Sequence, residues 1–228
     1  MLNPSCRRSA NDPIAVFLDF DNTISDVDVT DVICAEFAKP KWAELNLAYL
    51  NGQVGSRQAL IRMCELIDDD SRSGGAMESV LSRVTLDSSL SGLAAELRRR
   101  SIPLAIVSDG FGFYIPRLVA LPDVSIYASE LESASLKFPH GSLACENCGL
   151  CGTCKVRPLA EAAARGYRTV YVGDGYSDLK AAEVADVVFA KGALRKYCAT
   201  LGIDHYQYRS LADVLEWVVA EDASGRGP

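Results

Sequence analysis

The 228-residue chain has no apolar run that approaches the roughly 20 residues of a membrane-spanning helix. It also lacks the pattern of an export signal, since Arg7 and Arg8 are followed by no apolar block before Asp19. Basic residues are in the minority: 23 Lys and Arg stand against 30 Asp and Glu, for a net charge of -7. A chain of that sign is a poor general binder of nucleic-acid phosphates, which need a cationic surface. No internal repeat is visible. These absences predict a cytoplasmic protein, monomer or homodimer, with neither membrane nor nucleic acid as partner. Disorder over the whole chain is excluded too, because 49% hydrophobic and 23% charged residues make an ordinary globular mixture.

What the chain does have is alternation. Short runs rich in β-formers occur at Ile14 to Phe20, Pro103 to Gly110, Arg168 to Gly175 and Val187 to Ala190, with a brief fifth at His205 to Tyr208. Helical patterns follow at Leu90 to Arg100, Leu159 to Arg165, Asp178 to Val184, Ala193 to Leu201 and Leu211 to Ala220. Strand and helix in alternation predict an α/β fold, a Rossmann-like parallel sheet with helices on both faces. The helical stretch over 26–85 is far longer than a crossover needs. It reads as a helical cap inserted into a core of residues 1–25 and 86–228, with a turn-rich break at Asp68 to Gly75.

Three apolar runs end alike, in Asp19-Phe-Asp21, Ser108-Asp109-Gly110 and Gly173-Asp174-Gly175. Asp and Gly are common in turns, which would explain one such ending. Three of them at the carboxyl ends of parallel strands deliver polar groups to one crevice, where such sheets bind ligands. Asp19 and Asp21, two apart, face one side of an extended chain. Asp174 and Asp178, four apart, come together if a helix starts near Ser177. Two unit charges 4 Å apart repel by about 4 kcal/mol at an effective dielectric near 20, so these carboxylates call for a cation. Hard oxygen ligands select Mg²⁺. An ion that meets few carboxylates and keeps waters serves a phosphate, whose oxygens Ser108 and the amides after it would hold. A lysine would complete the charge balance.

Asp19-Phe-Asp-Asn-Thr-Ile24 resembles the first motif of the haloacid dehalogenase superfamily, with Ser108 like the second motif, Lys155 like the third and Gly173-Asp-Gly-Tyr-Ser-Asp178 like the fourth. The insertion resembles the helical cap of its phosphoserine phosphatase-like branch. The resemblance implies a phosphatase in which Asp19 is the nucleophile and forms an aspartyl-phosphate. It makes Asp21 the acid and base, and Ser108 and Lys155 the phosphoryl ligands. It places Mg²⁺ on Asp19, the carbonyl of Asp21 and Asp174, with Asp178 in support or reaching the ion through water. Thr23 would brace the loop, and Asp109 and Gly110 would border the substrate. Asn22 departs from the glycine usual in the first motif. Lys137, Lys180 and Lys191 compete with Lys155 on charge alone. In this branch a cap glutamate and a cap arginine contact the substrate; by spacing, Asp28 and Arg62 fall at those places, the latter with a surface ion pair to Glu65 or Asp69 as its alternative. Phe111 and Phe113 would line the pocket or pack in the core.

The segment 138–155 holds Pro139-His140 and then Cys145, Cys148, Cys151 and Cys154 before Lys155. In this it resembles the methionine-salvage phosphatases of the same superfamily. Cys-x-x-Cys pairs suit a closed structural Zn²⁺ site, with His140 able to replace one thiolate. An iron–sulfur cluster, disulfides and free thiols remain open. Cys6, Cys34, Cys64 and Cys198 are scattered and read as packing residues. The substrate implied is a small phosphate ester, of methionine-salvage or phosphoserine type. A phosphotransferase or mutase of the same superfamily, or a zinc-binding homologue without activity, would share most of these features.

Overall fold

The computed structural model describes residues 12–38, 40–132, 135–141 and 150–225, without the side chains at 73 and 222–225. Cys6, Cys145 and Cys148 lie outside them. Six parallel strands form the central sheet: β1 (Ile14–Leu18), β2 (Leu104–Val107), β3 (Ser125–Tyr127), β6 (Arg168–Gly173), β7 (Val187–Ala190) and β8 (Tyr206–Gln207), in the order β3-β2-β1-β6-β7-β8. A small antiparallel hairpin, β4 (Glu130–Glu132) with β5 (Ser135–Lys137), lies apart from it. The short polar strands β3, β4 and β5 escape the hydrophobic pattern because they are largely exposed.

The central strands are apolar throughout because both of their faces are covered. Along β1, Val16 and Leu18 point into one core with Ile106, Val170 and Val172. Ala15 and Phe17 point into the other, with Val107 and Tyr171. Helices α6 (Leu90–Arg99) and α11 (Leu211–Gly225) bring Leu93, Leu97, Val214 and Val218 to the first core. Helices α8 (Val156–Ala164) and α9 (Leu179–Ala182) bring Leu159 and Ala181 to the second. Helix α7 (Ile115–Leu118) follows β2, and α10 (Gly192–Leu201) follows β7.

Five helices fill the segment between β1 and α6: α1 (Val29–Phe37), α2 (Trp42–Leu50), α3 (Ser56–Glu65), α4 (Asp69–Ser73) and α5 (Gly75–Leu81). The break expected at Asp68 to Gly75 thus contains a helix, α4. Asp68 starts it by accepting the Ser71 N–H at 2.8 Å, the bond of a helix N-cap. The chain leaves and re-enters the core side by side. Ser25 pairs with Leu86, the Asp26 N–H donates to the Thr85 carbonyl (2.9 Å) and the Asp87 N–H to the Ile24 carbonyl (2.8 Å). Among the described residues no helix is long and apolar enough to cross a membrane.

Candidate active site

The carboxyl ends of β1, β2 and β6 meet at a cleft of about 200 Å³ that residues of α1, α2 and α3 also border. Asp19, Asp21, Asp109, Gly110 and Asp174 border it from the core. Asp19 follows β1 directly, and its N–H donates to the Val172 carbonyl of β6 at 2.9 Å, so the sheet itself fixes its position. Asn22 has a φ of +55°, the left-handed conformation that favours glycine and that asparagine tolerates best among the rest. This accounts for the departure from the motif.

Lys155 lies at the foot of the cleft, 97% buried in its side chain. Its ammonium donates to Asp19 Oδ1 and Asp178 Oδ1, each at 2.6 Å, and to Ser177 Oγ at 3.1 Å. Burial pulls that ammonium down, but Asp178 and Asp19 together hold its pKa well above the ordinary value. It is therefore a permanent charge, placed beside Asp19 as the resemblance implies. The competing Lys191 instead stacks over the Tyr208 ring at 4.9 Å.

Asp178 is fully occupied. Oδ1 accepts Lys155 and the Tyr171 hydroxyl (2.6 Å), and Oδ2 accepts the N–H groups of Asp174 and Gly175 (2.9 Å each). Its four bonds shape the Gly173-to-Asp178 loop and orient Lys155. Among the described residues, Asp19, Asp174 and Asp178 form the one group able to surround a metal, their ligand atoms lying within 4.8 Å of one another. Burial and Asp178 push the Asp19 carboxyl upward against the pull of Lys155. Burial and the same Asp178 push Asp174 up to about 6. Three carboxylates to one ammonium leave excess negative charge, and with Asp178 occupied a hard divalent cation fits the oxygens of Asp19 and Asp174.

Asp21 is set apart from this group. Its Oδ1 accepts the Val29 N–H at the start of α1 (2.8 Å), and its Oδ2 accepts the Tyr114 hydroxyl (2.6 Å). Burial first, and then the neighbouring Asp28, push its carboxyl up to about 8. Gly110 is there for clearance: a Cβ would come 2.7 Å from Asp21 Oδ2 and 2.6 Å from Thr30 Oγ1. Ser108 is fully buried, and its hydroxyl accepts the Gly110 N–H at 3.1 Å. Thr23 is buried beneath the loop, where its Oγ1 accepts the Tyr208 hydroxyl at 3.4 Å.

The segment of α1 to α3 supplies Asp28, Asp31, Asn46, Tyr49, Leu60 and Met63 to the far wall. Asp28 caps α1 by accepting the Asp31 N–H at 2.9 Å. Arg62 is exposed on α3 and does not border the cleft; its neighbour Met63 does. Asp69, considered as its partner, pairs with Arg72 at 3.1 Å. Phe111 is buried in the core and Phe113 packs against it, so neither borders the cleft. Asp109 borders it, and its Oδ2 accepts the Ser56 hydroxyl (2.6 Å) while its Oδ1 accepts the Thr153 N–H (2.8 Å). In the cysteine segment, Cys154 is buried and Cys151 half-buried, both as thiols, and the His140 ring packs on Tyr127 at 5.0 Å. Nothing in the described part of that segment supports zinc.

Sequence reasoning missed Tyr114, Tyr171, Ser56, Asp31 and Tyr49. Tyr171 was legible only as a strand residue, and Tyr114 only as part of an aromatic run.

A model of haloacid dehalogenase-like hydrolases matches residues 16–183. A 2-hydroxy-3-keto-5-methylthiopentenyl-1-phosphate phosphatase of Geobacillus kaustophilus is 31% identical over 212 residues, covering 89% of this chain and 94% of that one. The protein of the same name from Geobacillus thermodenitrificans is 30% identical over 211 residues, with the same coverage. Among solved structures, a substrate-bound phosphoserine phosphatase superposes with a TM-score of 0.66 at 21% identity, over 90% of this chain and 98% of that one. Phosphoserine phosphatase from T. onnurineus does so with a TM-score of 0.61 at 18% identity, over 95% and 97%.

Proposed function

The chain belongs to the haloacid dehalogenase-like hydrolases, a family in which its relatives are phosphatases of small phosphorylated metabolites, and on that premise we propose that it is a Mg²⁺-dependent phosphomonoesterase working through an aspartyl-phosphate at Asp19. The observation that carries the mechanism is the contrast between two carboxyls two residues apart. Asp19 meets an ammonium and belongs to the metal-capable group, so a bound cation would hold it ionised although burial pushes it up. Asp21 stands outside that group, bonded by the Tyr114 hydroxyl and the Val29 N–H, and burial pushes it up to about 8. Different partners for two neighbouring carboxyls assign nucleophile and acid.

In this reading a carboxylate oxygen of Asp19 attacks phosphorus while the ester oxygen leaves with the Asp21 proton. Asp21, now a carboxylate, takes a proton from water, and the hydroxide so formed attacks the phosphoryl group and returns Asp19. Lys155 and the Ser108 loop balance charge on the phosphoryl oxygens. Asp19 and Asp174 would hold the Mg²⁺, with the Asp21 carbonyl as a third ligand and Asp178 orienting the loop. Bound there, the ion would neutralise phosphoryl charge. Residues 26–85 would be the cap and the remainder the catalytic core, acting in the cytoplasm.

For the substrate, the methylthiopentenyl phosphate in the relatives' name is the first ester to try, since Tyr49, Leu60 and Met63 offer it an apolar wall. A serine phosphate is served less well. With Arg62 outside and Asp28 and Asp31 on the far wall, no cation among the described residues there awaits a carboxylate. The test is phosphate release from a panel of small esters with Mg²⁺ or EDTA, beside Asp19→Asn. Release that needs Mg²⁺ and falls by about 10⁴-fold or more in the variant is expected. Release that persists in Asp19→Asn would refute the mechanism.

A further inference from the structure

The Asp109 carboxylate ties together three parts of the molecule that the chain keeps far apart. It follows Ser108 at the end of β2. Through Oδ2 it accepts the hydroxyl of Ser56, the first residue of cap helix α3. Through Oδ1 it accepts the N–H of Thr153, two residues before Lys155. Ser56 Oγ closes the figure by accepting the Gly152 N–H at 3.1 Å. Around this centre the contact continues. Arg57 Nε donates to the Cys151 carbonyl at 3.1 Å, and its guanidinium lies over the Phe138 ring at 5.3 Å. Gly55 is required for the approach, because a Cβ there would collide with the backbone of Leu150.

We infer that Asp109 is a positioning residue that clasps the cap to the segment carrying Lys155, so that one carboxylate both latches the closed cap and fixes the backbone that sets Lys155 against Asp19. This rests on the phosphatase reading only for its kinetic consequences. A substrate must enter the cleft, and to admit it α3 has to withdraw from 150–155, which breaks the Ser56 bonds. An ester that binds under the cap restores them. Thr153 is held by Asp109 in either state, so the two halves of the clasp have different consequences when lost. Ser56→Ala loosens the cap alone. Apparent affinity then falls in proportion to the lost population of the closed form. Asp109→Ala also frees the backbone at Thr153, and Lys155 loses its fixed place. Asp109 acts through Ser56 and Thr153, so these effects do not depend on the leaving group.

The experiment measures kcat and KM for Ser56→Ala, Asp109→Ala and the double variant on two esters with unlike leaving groups, methyl phosphate and p-nitrophenyl phosphate. Amide exchange over 150–155 is followed in parallel in the same proteins. Expected are a KM raised about tenfold with kcat held within about threefold for Ser56→Ala. For Asp109→Ala, kcat falls about 10²-fold, as expected when a phosphoryl ligand is misplaced. The double variant should match Asp109→Ala, because residues that act as a unit are not additive. Ser56→Thr, which keeps the hydroxyl, should restore KM. Exchange should quicken at Gly152 in Ser56→Ala, with Thr153 still held by Asp109, and at Thr153 in Asp109→Ala. Independent, additive effects of the two substitutions would overturn the clasp. So would a KM change seen with one ester only, or an unchanged exchange rate at 152–153. Should wild-type protein release no phosphate, the exchange coupling still decides the clasp, and only the phosphatase reading fails.

Discussion

The two ends of the cleft are built differently. At the phosphoryl end the polar groups are buried or half-buried, and the central ones are held by several partners: Lys155 donates three bonds, Asp178 accepts four and Asp21 two. At the cap end the wall rests on short helices, one of which, α2, buries no residue and leaves Leu47 and Leu50 largely exposed. Sheet-anchored groups that cannot move suit electrostatic stabilisation of a transferring phosphoryl group. A thin wall of helices suits admission and selection of a leaving group. The largest losses on mutation should therefore come from the first end, and changes in preference from the second.

The severest break is Lys155→Met. It leaves Asp19 and Asp178 buried together with no ammonium between them, and removing one partner of such a pair costs about 3–5 kcal/mol. Denaturant unfolding should show that loss, and phosphate release should vanish. A variant with wild-type stability would mean that the site relaxes, and the contrast between fixed and adaptable ends would fail.

Next is Asp21→Asn, which keeps the bond from Tyr114 but removes the proton. Loss of general acid–base help is worth about 10²–10⁴-fold in kcat. With p-nitrophenyl phosphate, whose leaving group needs no proton, the first step should survive. A burst of nitrophenol would then precede a slow turnover. Absence of that burst would sever Asp21 from the second step.

The position of these residues was legible for a physical reason. A continuous apolar run ends at a definite point, and the residues just beyond that point must emerge at the sheet's carboxyl edge. Asp19, Asp21, Ser108 and Asp174 were found that way. Lys155 was found by motif order, and the structure sets it against Asp19. Tyr171 was hidden because its ring belongs to the core while its hydroxyl alone reaches Asp178. On the cap, sequence spacing left the helix phase open. One residue is about 100° of rotation, enough to put Met63 in the cleft and Arg62 in solvent. The hairpin β4–β5 and edge strand β3 carry no apolar pattern to read, and Asp68 turned an apparent turn into a helix.

A milder probe of the phosphoryl end is stability against pH. Asp21 and Asp174 have carboxyls raised from 3.8 to about 8 and about 6. Between about pH 4 and those values the folded protein holds protons that the unfolded chain has released. Stability is therefore fullest below pH 4 on this account and falls as pH rises through the window. With EDTA, Tm should drop by a few degrees between pH 5 and pH 8. Mg²⁺ favours ionised Asp19 and Asp174, so the Tm gain from the ion should grow with pH. A gain that stays flat across this range would place the cation elsewhere.

The smallest effect tests the cap end. Arg62→Ala removes a cation that spacing alone would assign to substrate, but the side chain is exposed on the outer side of α3. Surface substitutions of this kind stay within about 0.5 kcal/mol of stability. KM and kcat should remain within about twofold on every ester of the panel, since about 0.4 kcal/mol is all that such a ratio represents. A KM raised tenfold on phosphoserine alone would show that α3 turns to bring Arg62 inward when a carboxylate is bound. The cap would then be an adjustable selector whose closed form differs from the one seen, and the clasp at Ser56, on the same helix, would have to give way as it turned.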